Sequence, residues 1–136
     1  MKLNIIAFLF VFVTACSTSK TSSVAQIGDY EQLAEEKLGS DVTFEHSPED
    51  EYVLCYKNEK GTVKYPQNTI NYFVYDLKKN EVINEDTFGP GEIKWHDAKH
   101  LEIFQIPGVM PEGKTKDHFT YLYNVETGER TPKAEF

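Results

Sequence analysis

The chain has 136 residues, 14 of them basic and 22 acidic, for a formal charge of −8, with 40% apolar and 13% aromatic residues. That length suits one domain of ordinary size. The acidic balance excludes nucleic acid, whose phosphates call for Lys and Arg, and opposes adsorption of the folded part onto anionic lipid.

The first element is an apolar run, Ile5 to Val13, preceded by the single positive side chain of Lys2. Nine helical residues span about 14 Å, whereas a hydrocarbon core of about 30 Å needs about 20. A basic start, a short apolar stretch and then small residues form the pattern of a cleaved export signal. The run ends in "VTAC", Val13 to Cys16. This resembles the lipobox of bacterial lipoproteins, an apolar residue and two small ones before a cysteine, and the resemblance covers residues 2–16. It implies cleavage before Cys16, a diacylglyceryl group on its thiol, and an acylated N-terminus held in a membrane. At least two acyl chains would then anchor the chain, and each buried CH₂ contributes about 0.8 kcal/mol.

The expected organisation is a lipoprotein signal peptide at 1–15, a tether at 16–27 containing "STSKTSS", and a single mainly-β domain at 28–136. The tether is small and polar, with no core-forming residues. Ser17 resembles outer-membrane sorting, so the expected location is the bacterial cell envelope, outer membrane ahead of inner. The signal segment holds one Lys and no acid, so its loss leaves the remainder one unit more negative. With Cys16 acylated, Cys55 is the one free thiol and no intramolecular disulfide can form. In "YVLCY" it reads as a small buried hydrophobe.

Residues 29–39, "DYEQLAEEKLG", predict a short helix capped by Asp29 and stopped by Gly39. Tyr30, Leu33, Ala34 and Leu38 share one face. About ten residues is marginal for an isolated helix, so that face needs a surface to dock on.

Everything after Gly39 reads as strand and turn, and it reads twice. "YDLKKNEV" (Tyr75 to Val82) matches "YNVETGER" (Tyr123 to Arg130) at an offset of 48. Upstream, Val42 and Phe44 align with Ile93 and Trp95, and Tyr52 and Leu54 with Leu101 and Ile103, which makes the second unit's first turn two residues shorter. Period-two alternation with turns at Asn80 and Gly128 is hairpin chemistry. The fold class is therefore all-β: two tandem four-stranded antiparallel meanders, units 41–86 and 92–132, preceded by a short helix. These units resemble blades of WD-repeat-like β-propellers, which carry similar "Y-D-L-x-T-G-E" hairpins. Two blades cannot close a ring of four to eight. Either copies associate into a ring, or the two sheets pack face to face with the helix covering an edge. The second arrangement gives Tyr30, Leu33 and Leu38 something to cover.

Four histidines, His46, His96, His100 and His118, and the acids Glu49, Asp50 and Glu51 are the obvious chemical candidates. His96 and His100 have the i, i+4 spacing that presents two metal ligands on a helix, but they fall in a turn. "SPEDEY" lacks the spacing and Gly of a calcium loop. No G-x-S-x-G, Walker loop or dinucleotide fingerprint occurs. The chain reads as non-enzymatic, with no catalytic residue, metal or cofactor. Aromatics say more: Tyr72, Phe73, Tyr75, Phe119, Tyr121 and Tyr123 lie in corresponding strands, with Trp95 the single tryptophan. They are either core or an exposed face suited to a protein or a sugar, and Trp95, Tyr72, Tyr75, Tyr121 and Tyr123 are the candidate binding residues.

The expected function is a lipid-anchored envelope protein that binds another protein through that aromatic face or the long loops at 58–69 and 107–118. The alternatives are a glycan-binding module of oligomerised blade pairs, or an enzyme whose site a single chain does not disclose.

Overall fold

Alternating side chains and tight turns produce eight strands in this protein, which a computed structural model describes over residues 29–136. The signal segment, Cys16 and the tether lie outside the described residues. One helix, α1 (Asp29–Leu38), precedes β1 (Thr43–His46), β2 (Tyr52–Glu59), β3 (Thr69–Asp76) and β4 (Glu81–Phe88). Then come β5 (Gly91–Trp95), β6 (His100–Gln105), β7 (Thr120–Asn124) and β8 (Arg130–Pro132). They form two antiparallel meanders, β1-β2-β3-β4 (sheet 1) and β5-β6-β7-β8 (sheet 2). Among the described residues no helix is long and apolar enough to cross a membrane.

The tight turns fall where the backbone needs them. Asn80 and Gly128 both adopt positive φ, 54° and 75°. In each turn the preceding Asx side chain accepts two backbone N–H bonds: Asp76 Oδ1 from Lys78 and Lys79, and Asn124 Oδ1 from Glu126 and Thr127. These are Asx turns, which Asp and Asn form readily. The two hairpins are thus built alike at the offset of 48.

The first hairpins are less alike than their sequences suggest. Ser47 N–H donates to the Tyr52 carbonyl, and His96 N–H to the His100 carbonyl, so the second turn is one residue shorter and not two. A one-residue slip turns every side chain to the opposite face. Accordingly Phe44 meets Tyr30 of α1 on the outer face of sheet 1, whereas Trp95 points between the sheets.

The two sheets pack face to face. Leu54, Ile70, Tyr72 and Val74 of sheet 1 meet Ile93, Leu101, Ile103 and Tyr123 of sheet 2 in one buried cluster. Polar groups lock the contact: Trp95 Nε1 donates to the Glu45 carbonyl at 2.9 Å, and Tyr52 Oη donates to Glu126 Oε1 at 2.9 Å. Sheet 1 is buried on its other side too, because α1 lies across it. Ala34, Val53, Cys55, Phe73 and Tyr75 form that second cluster, with Tyr30, Leu33 and Leu38 packed on it. The helix therefore covers a face of sheet 1 and not an edge. Ala34 is fully buried; its small side chain lets the helix approach the strands closely. The layers run α1, sheet 1, sheet 2. Double coverage explains why Tyr52 to Cys55 and Tyr72 to Asp76 are buried without interruption, the pattern of strands covered on both faces.

The layers have two distinct ends. At one end lie the four tight turns, with Glu51, Lys78, Lys99 and Glu126 around a shared cleft. At the other lie the β2–β3 loop (60–68), the β6–β7 loop (106–115) and the two-residue link between β4 and β5. Ile106 N–H donates to the Pro90 carbonyl at 2.8 Å, which holds the second long loop against that link. Helix α1 starts at the turn end, where Asp29 borders Asn80 and Glu81. It finishes at the loop end, where Lys57 Nζ donates to the Leu38 carbonyl at 2.9 Å.

Candidate functional site

The aromatic candidates are the first test of a binding face, and burial decides their disposition. Tyr72 is 2% exposed, Tyr75 4% and Tyr123 7%. Tyr72 and Tyr123 fill the space between the sheets, and Tyr75 lies under α1. Trp95 and Tyr121 are half-buried against the inter-sheet cluster. Trp95 stacks on Tyr52 at 6.3 Å, and the Arg130 guanidinium sits over Tyr121 at 5.2 Å and Tyr123 at 6.0 Å. Arg130 also pairs with Asp86 of β4 at 3.2 Å, so it closes the gap between the sheets from the edge. Burial pushes the Tyr52 hydroxyl up to about 12, reinforced by its bond to Glu126. The five are divided between two cores, Tyr75 beneath α1 and the other four between the sheets, and they present no exposed aromatic sheet face. The reason is that sheet 1 is a middle layer: neither alternating set of its side chains is left for solvent.

The histidines have structural partners. His100 Nδ1 lies 2.9 Å from Asp97 Oδ2, and its Nε2 lies 3.2 Å from Asn124 Nδ2. Asp97 Oδ1 accepts the backbone N–H groups of Lys99 and His100, both at 2.8 Å, and so shapes the turn. His46 pairs with Asp50, and His118 Nδ1 lies 3.0 Å from Thr115 Oγ1. His96 Nδ1 approaches Glu102 Oε2 at 3.4 Å. Among the described residues no group of three His, Cys, Asp or Glu side chains is placed to hold a metal ion.

Glu102 is the one charged side chain drawn into the outer face of sheet 2, its side chain only 10% exposed. Burial pushes its carboxyl up, but Lys133 at 3.2 Å, Lys94 at 3.6 Å and His96 overcome that and hold it below its ordinary range. A carboxylate with a lowered pKa stabilises the fold above its unfolded-state value and loses that contribution as pH falls through its folded-state value. The expected result is that Glu102→Gln is less stable than the parent at pH 7. The gap narrows as pH falls below the ordinary glutamate range and through the lowered folded-state value. Urea titrations at pH 7 and at a series of lower pH values check this, and a gap that does not narrow as pH falls contradicts the ion-pair account.

Cys55 is fully buried in β2 beneath α1, and burial pushes its thiol up to about 12. The thiolate is the reactive form, so iodoacetamide at pH 8 is expected to leave the folded protein unmodified. Once urea unfolds the domain, the reagent should alkylate Cys55 stoichiometrically. Stoichiometric labelling without urea would show that the helix lifts off readily.

Exposed apolar surface lies elsewhere. Of the seven large apolar side chains exposed among the described residues, five are Val63, Tyr65, Ile106, Val109 and Met110. All five belong to the two long loops, at the same end of the layers. Val63 is completely exposed and Val109 81% exposed. The first loop is built: Thr62 N–H donates to the Tyr65 carbonyl at 2.7 Å, Tyr65 N–H to Thr62 Oγ1 at 3.1 Å, and Gly61 N–H to Asn68 Oδ1 at 3.0 Å. Gly61 is required there, since a Cβ would stand 2.2 Å from the Pro66 carbonyl oxygen. The loops were marked by their length; these side chains were not singled out. Their signal was available as apolar residues set among Gly, Pro and Lys in "KGTVKYP" and "IPGVMPEGK". No protein family, curated protein or solved structure matches this chain.

Proposed function

We propose that this protein is a lipid-anchored component of a bacterial cell envelope that acts as a non-enzymatic protein-binding module, with the two long loops as its contact surface. One observation carries the reading: five exposed apolar side chains are concentrated on two long loops at the same end of the layers. Exposed apolar surface gathered in one place marks interaction sites, and long loops in small domains commonly carry function. The "VTAC" sequence supports the anchor. If Cys16 holds the lipid, residues 16–27 reach at most about 40 Å. They join the domain at the turn end, where α1 begins. The loops then face away from the attachment point.

Affinity capture from native envelope tests this, using the full-length chain and a Val63→Ser, Val109→Ser, Met110→Ser variant side by side. A defined envelope protein retained by the parent and lost from the variant is the expected result. Equal capture by both, or none by either, overturns the loop-mediated reading; retention on a glycan array in place of a protein assigns the surface to sugar.

A further inference from the structure

We infer that the loop end takes an acidic protein segment bearing apolar side chains, an inference that rests on the loop-mediated reading above and names its partner's chemistry. Charge on this molecule is unevenly placed. The whole chain has 14 basic against 22 acidic residues, yet loop residues 60–68 and 106–118 hold four lysines, Lys60, Lys64, Lys114 and Lys116, against Glu112 and Asp117. The two loops that carry five of the seven large apolar side chains exposed among the described residues therefore also hold more basic than acidic residues.

The lysines are also uncommitted. Among the described residues Lys60, Lys64 and Lys114 make no ion pair, although carboxylates are abundant on the same molecule; Lys116 alone is taken, by Glu92. Lys64 Nζ lies 5.3 Å from the Tyr65 ring centre, so a cation and an exposed aromatic face are presented as a unit. Apolar anchors surrounded by unpaired cations complement a segment that pairs carboxylates with apolar residues. Charges of this kind at the rim of a contact set encounter rate and selectivity, while the apolar centre supplies most of the binding energy. The body's own negative charge disfavours an anionic lipid surface as the occupant, and a second copy is told apart by the test below.

Site-specific photocrosslinking in the native envelope tests the inference. The full-length chain carries p-benzoylphenylalanine at Val63 or Val109, and at Lys78 on the turn end as the control. The expected result is that both loop positions join the same protein, through a segment that mass spectrometry shows to be net acidic, and that Lys78 does not. Yield should fall roughly tenfold in Lys60→Glu, Lys64→Glu, Lys114→Glu, and also for the unchanged protein when salt is raised to about 0.5 M. The salt arm does not depend on the variant folding. Crosslinks to a neutral or basic segment, to lipid, to glycan or to a second copy overturn the inference, as does a yield that ignores both charge reversal and salt. If affinity capture succeeds while the loop positions remain uncrosslinked, only the assignment of partner and surface fails; if capture fails as well, the binding-module reading goes with it.

Discussion

Phe73→Ala is expected to lower the unfolding free energy by about 3–5 kcal/mol, the usual range for a fully buried phenylalanine. Phe73 is among the largest fully buried side chains, 1% exposed in the central strand β3. It pairs across to Cys55 of β2 and Glu85 of β4, and its ring lies in the cluster beneath α1 with Ala34, Val53 and Tyr75. Removing the ring takes away apolar burial and also leaves a void that the helix cannot easily fill. Neighbouring strands hold the backbone of β3 on both sides. Total stabilities of single domains are about 5–15 kcal/mol, so the loss is a large share, and a melting temperature about 15 °C lower is expected for a domain of this size. Phe44→Ala is the control: its ring is 38% exposed at the border of the same face, and it should cost about 1 kcal/mol or less. Urea unfolding of both variants checks the pair. Equal effects would mean that α1 does not cover sheet 1.

Cys16→Ser is expected to abolish fatty acylation altogether and to leave the full precursor uncleaved. The apolar run and Lys2 are untouched by the change, so entry into an export route, if they direct one, is expected to be preserved. What is lost is the sulfur nucleophile, for which a serine hydroxyl, hardly ionised near neutral pH, is no substitute. If the parent carries at least two acyl chains on Cys16, their loss removes an attachment that one chain alone supports only marginally. Intact-mass measurement and fatty-acid labelling of the parent and the variant check this. A parent chain that retains Met1, or that carries an unmodified thiol at Cys16, would sink the anchor.

Much of the architecture was legible in local patterns. Asp29 is the first residue of the helix and not the cap expected of it, whereas Gly39 does stop the helix after Leu38, in the left-handed conformation at φ 78°. Asn80 and Gly128 mark tight turns because their backbones must adopt positive φ, which few residues tolerate. Period-two alternation was enough for two four-stranded meanders in tandem. The alignment of Phe44 with Trp95 was not secure, because strand patterns repeat every two residues and a turn shortened by one changes the face without changing the motif.

The site was less legible for the same physical reason. Alternation separates two faces of a strand, but it does not say whether one face or both will be covered. Tyr72 and Tyr75 point to opposite sides of β3, and each could have been the exposed one. Only the packing of α1 on one side and sheet 2 on the other buries both. A signal was present in the unbroken apolar runs "YVLCY" and "YFVY", which fit strands buried on two faces. Sequence by itself determined the strands, the tight turns at Asn80 and Gly128 and the end of the helix, since each depends on residues close along the chain. Tertiary structure alone decided that the aromatics are core, that α1 lies across a face, and that Val63, Tyr65, Ile106, Val109 and Met110 gather at one end. Those outcomes depend on contacts between residues far apart in sequence, which no local periodicity records.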